Sequence, residues 1–86
     1  MILVSYKPSF IKEMENLEKD LYGEVLEKIE LFQHEKNHVP LKVHKLKGKL
    51  SAKYSFSVNY KIRIVFQYES KKEAVLLAIG NHDVYK

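Results

Sequence analysis

The chain holds a single arginine, Arg63, inside the alternating run Ile62-Arg63-Ile64-Val65-Phe66. Its histidines fall in three segments: His34-Glu35-Lys36-Asn37-His38, His44-Lys45-Leu46-Lys47-Gly48 and Gly80-Asn81-His82-Asp83-Val84-Tyr85. These residue types suit chemistry at a phosphate. A guanidinium presents a planar fork that can meet two oxygens of one phosphate. An imidazole can give or take a proton near neutrality. A tyrosine ring offers a flat surface for stacking on a base. Each also has an ordinary reading. Arg63 can be a strand arginine paired with Glu69 or Glu73. His82 and Tyr85 can belong to a polar tail. His44 and its lysine neighbours can be a solvated loop. Residue type alone leaves both readings open.

The first segment matches H-E-x-x-H, the zinc-protease pattern. That chemistry needs both histidines on one face of a well-formed helix, plus a third ligand. Here His38 stands two residues before Pro40, where a helix should already be ending. A helix C-terminus flanked by His and Lys accounts for the same residues through the helix dipole, so no metal is expected. With no cysteine, disulfides, thiol nucleophiles and Cys-based zinc sites are excluded. No phosphate-binding glycine loop, Ser-His-Asp set or acid pair on a common strand is present, and no cofactor is expected.

Charge is segregated along the chain. Between Glu13 and Glu35 eight acidic residues face only Lys19 and Lys28; between Lys36 and Tyr68 stand Lys36, Lys42, Lys45, Lys47, Lys49, Lys53, Lys61 and Arg63, with no acid. A dipolar protein with one strongly positive region has the electrostatic footprint of a polyanion binder, and it also describes a lysine-rich loop that keeps a protein soluble. Lys45, Lys47, Lys49, Lys53 and Lys61 are the candidate backbone contacts.

The elements that would position these groups can be read from spacing. Ile2, Val4 and Tyr6 alternate as a first strand. Pro8 fits the first turn of a helix. Phe10, Met14, Leu17 and Leu21 recur at helical spacing, and Tyr22, Val25, Leu26, Ile29 and Phe32 continue it. Two antiparallel helices are expected, broken near Lys19–Leu21, with Asp20 as the second N-cap. Residues 41–53 form a basic connection pinned at Leu41, Val43, Leu46 and Leu50. Strands follow over Tyr54–Val58 and Ile62–Tyr68, joined by a tight turn at Asn59-Tyr60. Residues 74–79, apolar on both faces, read as a central strand. The result is one α+β domain over residues 1–86, of order βααβββ, with two N-terminal helices on one face of a mostly antiparallel sheet. Alternation sends Ser55, Ser57, Arg63 and Gln67 to the other face, expected to be partly open. At 86 residues the core is modest. The strand-like start without a basic leader, and the lack of a membrane-length apolar stretch, lead us to expect a cytoplasmic protein that enters no membrane.

The βααβββ order, the His44-Lys45-Leu46-Lys47-Gly48 segment, the Tyr54–Phe66 hairpin and the ending Ile79-Gly-Asn-His-Asp-Val-Tyr85 together resemble the RelE/ParE superfamily of toxins, the RelE- or YafQ-like branch above all. The resemblance spans nearly the whole chain. It implies a ribosome-dependent mRNA endoribonuclease silenced by a cognate antitoxin, cleaving by attack of the RNA's own 2′-OH without metal. By the same resemblance Arg63 contacts the scissile phosphate, His82 lies near the cleaved bond, and Tyr85 stacks on or orients the substrate. His44 matches a histidine of YafQ-like members, and Lys45 and Lys47 match general RNA contacts. Ser55 and Ser57 stand where RelE itself carries lysines, so the identity of the general base stays open. The same fold also admits a ParE-like gyrase inhibitor or a non-catalytic binding module.

Overall fold

Pro8 occupies the first helical position of α1 (Pro8–Glu15), where its missing N–H costs no bond. The computed structural model describes residues 1–48 and 52–81. β1 (Leu3–Tyr6) precedes α1, and Asn16 closes that helix. The break between helices therefore comes earlier than Lys19–Leu21, since α2 (Lys19–Phe32) starts directly after Glu18. Glu18, and not Asp20, is the N-cap: its backbone is extended (φ -60°, ψ 149°) and its carboxylate accepts from the Asp20 N–H at 2.7 Å. Glutamate is a less common cap than aspartate, which is why Asp20 looked the better candidate. Asp20 instead places its charge in the first turn, where the helix dipole favours it.

The helices present Phe10, Met14, Val25, Ile29 and Phe32 to the sheet, against Phe56, Ile64, Phe66, Leu76 and Ile79. All four phenylalanines are buried, each worth about 1.5–3 kcal/mol of transfer free energy. Phe32 is the hub, stacked on Phe56 at 4.5 Å and edge-on to Phe66 at 4.7 Å. Tyr22 and Leu26, which continue the helical spacing, are 39% and 46% exposed; from α2 the core buries Val25, Ile29 and Phe32, with Leu21 packed against it.

The sheet order is β1-β5-β4-β3-β2, with β2 at His44–Lys45, β3 at Tyr54–Ser57, β4 at Arg63–Ser70 and β5 at Glu73–Gly80. β1 runs parallel to β5 and every other pairing is antiparallel. β5 is interior, as its two apolar faces require. Val65 pairs with Ala78 and Phe66 with Leu76, so Leu77 is the extra residue of a bulge. Within the basic connection a two-residue strand, β2 (His44–Lys45), adds itself to β3. Leu41 and Leu46 are buried and Val43 packs on the core, so three of the four expected anchors hold; Leu50, with Lys49, lies outside the described residues.

The face turned away from the helices is partly open, as expected, but its middle is covered. Ser55 is 0% exposed and its partner Val65 is 4% exposed. Leu46, whose N–H extends the ladder to the Lys53 carbonyl at 2.9 Å, is buried as well. These three lie outside the main core cluster. The middle of this face is therefore a closed floor; Ser57, Arg63, Ala78 and Gly80 are half-buried around it, and Leu3, Ser5 and Gln67 are exposed beyond.

Candidate functional site

The hairpin between β3 and β4 is built on Asn59. Its Oδ1 accepts from the N–H groups of Lys61 and Ile62, both at 2.8 Å, an Asx arrangement that closes a tight turn. The Val58 N–H donates to the Ile62 carbonyl at 2.9 Å and locks the strands above it. Asn59 Nδ2 donates to Glu24 Oε1 on α2 at 3.1 Å, which ties the turn to the helical layer.

Arg63 is the first residue of β4, paired with Ser57 on one side and Gly80 on the other. Its Nη1 donates to the carbonyls of Asn59 and Ile62. The alternative of an ion pair with Glu69 or Glu73 fails on geometry. Glu69 lies six residues along the same strand, roughly 20 Å away. Glu73 starts the next strand at that far end and accepts from Ser70 Oγ at 3.0 Å. Among the described residues, Arg63 is thus a half-buried cation held by backbone oxygens that carry no full charge.

His44 stands on the same face, across from Ser55 on the edge strand β2. Its Nδ1 lies 2.8 Å from the Lys42 carbonyl. A carbonyl can only accept, so the proton of the neutral ring sits on Nδ1 and Nε2 carries the lone pair. Lys42 has a left-handed backbone (φ 59°), uncommon for a residue with a side chain, and it shapes the turn that brings this carbonyl to the ring. His44 and Arg63 are two strands and two residues apart, roughly 12 Å between their backbones. They share a face without touching.

The lysines divide. Lys45 is paired with Tyr54 and so faces the helical side, away from His44. It stands beside Tyr54, whose ring meets that of Tyr68 edge-on at 4.9 Å. Burial, reinforced by Tyr54 and the Glu35 charge, pushes the Tyr68 hydroxyl above its ordinary value, so it stays a neutral donor. Lys47 is exposed next to Gly48 (φ 70°). Lys53 is half-buried at the start of β3. Lys61 lines a groove of about 690 Å³ with Glu18, Asp20, Glu24 and Glu27, a setting that suits a partner for carboxylates better than a phosphate contact. His82, Tyr85 and Lys49 lie outside the described residues; β5 ends at Gly80, level with Arg63, and the chain continues from there.

The residues of the H-E-x-x-H match have separate jobs. α2 ends at Phe32, and Glu35–Asn37 form one 3-10 turn. His38 stacks on Phe32 at 4.9 Å, and its Nε2 donates to the Phe32 carbonyl at 2.7 Å. Glu35 pairs with Lys72 Nζ at 2.9 Å and with the terminal amine at 3.3 Å. The hydrogen bond from Lys72, followed by that from the terminal amine, holds its carboxyl below the usual carboxylate range. A group with a lowered folded pKa adds stability above its unfolded pKa and loses it as pH falls through the folded value. The pair is solvent-exposed, so the contribution is small and salt-sensitive. In a carboxyl-resolved NMR titration the Glu35 midpoint should lie below that of an unpaired glutamate. It should move up in Lys72→Ala; an unmoved midpoint would refute the pairing.

Asn59, Glu24 and Lys42 are the residues here that motif reading does not select. By sequence Asn59 reads only as a turn former, and a glutamate 35 positions away has no local signal. No family model and no curated protein matches the sequence. Solved structures are similar in fold. An archaeal RelE–RelB complex from Pyrococcus horikoshii matches at 20% identity over 93% of each chain, with a TM-score of 0.72. A YoeB–YefM complex from Staphylococcus aureus matches at 16% identity over 95% of this chain and 98% of the other, with a TM-score of 0.72. YafQ from Escherichia coli matches at 11% identity over 98% and 97%, with a TM-score of 0.66. The chain has the RelE-like α+β fold.

Proposed function

We propose that this chain is the toxin of a type II toxin–antitoxin pair, an endoribonuclease that cuts mRNA on the ribosome in the cytoplasm and is held silent by a cognate antitoxin. The observation that carries this reading is the placement of Arg63 and His44, both from the basic stretch of the sequence, on one face of a RelE-like sheet. The RelE and YoeB structures it resembles are complexes with RelB and YefM, which supports a partner of the same kind for this chain.

Attack of a 2′-OH on the adjacent phosphate needs a base, positive charge on the developing phosphorane, and an acid for the leaving 5′-oxygen. Arg63 supplies the charge, best from the Nε–Nη2 edge, because Nη1 is committed to the hairpin. His44 has the tautomer a base requires, with Nε2 as acceptor. His82 is the acid and Tyr85 the stacking ring. Lys45, Lys47, Lys49 and Lys53 hold the backbone or the surrounding ribosomal RNA. All three demands of the reaction are met by side chains, with neither a metal nor a cofactor in a required role.

In a reconstituted translation reaction, purified protein should shorten ribosome-bound mRNA at defined positions and leave naked mRNA intact. Full-length mRNA throughout would refute the reading, and gyrase-dependent DNA damage would replace it with ParE-like inhibition. If several of the basic residues contact phosphates, log affinity for ribosomes should fall linearly and steeply with log salt. A flat dependence would show that the basic region serves another purpose.

A further inference from the structure

Four hydrogen bonds converge on Asn59. Its Oδ1 takes two turn N–H groups, its Nδ2 reaches Glu24, and its carbonyl receives Arg63 Nη1. Two backbone donors facing Oδ1 settle which end of the amide is oxygen, so Nδ2 must point to the glutamate. The hairpin turn is thereby held from both sides, by its own amides and by α2. The direction of the Asn59 carbonyl follows from the shape of that turn, and the guanidinium hangs on this carbonyl. Three of these four bonds are internal to residues 59–63; the bond to Glu24 is the one that ties the turn to α2.

We infer that Glu24 and Asn59 are positioning residues for Arg63: their side-chain bond fixes the hairpin turn against α2, and the turn in turn fixes which edge of the guanidinium faces a phosphodiester. This rests on the reading of Arg63 as the phosphate contact of a ribonuclease. Neither positioning residue touches substrate. A guanidinium already held by one nitrogen presents its fork in one orientation, and misplacement of such a group by about 1 Å can cost about 10²-fold in rate.

A donor–acceptor swap tests the device. Asn59→Asp keeps an oxygen for the turn but sets a second carboxylate oxygen against Glu24. Glu24→Gln alone keeps an acceptor for Asn59. Combined, the two changes restore the bond with donor and acceptor exchanged. Single-turnover cleavage by Asn59→Asp should fall by about 10- to 100-fold with ribosome affinity little changed, and the double variant should return to within a few-fold of wild type. Glu24→Ala, a substitution helices accept well, cuts the same link without touching the turn and should lower the rate in the same direction. Arg63 is the sole arginine, so its side-chain N–H signals in nitrogen-15 NMR form an isolated probe. They should shift and broaden in Asn59→Asp and Glu24→Ala and recover in the double variant. Signals unmoved in the single variants, or a double variant that stays as slow as Asn59→Asp, would overturn the inference. If the wild type cuts no mRNA, the ribonuclease reading has failed, and the NMR series alone decides whether the pair positions Arg63.

Discussion

Arg63→Ala should lower the single-turnover rate of mRNA cleavage on the ribosome by about 10²- to 10³-fold, the scale seen when one preorganised donor to a developing oxyanion is lost. Ribosome affinity should change far less, because many lysines share the ground-state contact with phosphate and Arg63 is one cation among them. The structure adds a reason to expect a large effect. Nη1 is already bonded to the Asn59 and Ile62 carbonyls, so the remaining edge is oriented before substrate arrives. Arg63→Lys should recover little: an ammonium is a point charge and cannot hold the hairpin carbonyls and a phosphate fork together. Because Arg63 begins β4 next to the turn, both variants need circular dichroism to show an intact sheet. A folded Arg63→Ala protein cutting at the wild-type rate would remove Arg63 from the chemistry.

Much of the fold was readable from local signals, and the exceptions have physical causes. Pro8, the Phe10–Met14 spacing and the Val25–Ile29–Phe32 stripe announce two helices, and the two apolar faces of residues 74–79 announce an interior strand. β2 left no such trace, because His44–Lys45 is too short to show alternation; it exists because β3 offers an open edge. The closed floor of the second face was also hidden. Ser55 reads as a surface residue by composition, yet register sets it against Val65, with Leu46 buried alongside. Long-range pairing, not residue type, decides that burial.

At the proposed site, the sequence singled out one cation and could not show what holds it. Arg63 stood out as the single arginine in an alternating strand. Its anchors are backbone carbonyls, which every residue carries and no motif can mark. The split between His44 and Lys45 onto opposite faces follows from the two-residue period of a strand, but only after β2 is known to be a strand. Lys61 belongs to the basic stretch by sequence and to an acidic groove by folding, since α2 brings Glu18, Asp20, Glu24 and Glu27 beside it.

His82→Gln should reduce single-turnover cleavage by about 10²-fold or more, the usual scale for a lost acid–base group, with ribosome binding nearly intact. Glutamine keeps the approximate size and some hydrogen bonding while removing the titratable proton. The two histidines should be distinguishable. If His82 is the acid, it serves the departure of the 5′-oxygen. An mRNA carrying a 5′-bridging sulfur at the scissile bond, whose thiolate leaves without protonation, should then be cut by His82→Gln almost as fast as by wild type. His44→Gln should receive no such rescue, because a base acts on the 2′-OH and the leaving group does not alter that need. β5 ends level with Arg63 at Gly80, and His82 follows two residues later in sequence, so the fold of the variant must be checked. If folded His82→Gln cuts the natural mRNA at the wild-type rate, His82 has no catalytic role. If sulfur substitution instead rescues His44→Gln, the two histidines exchange parts.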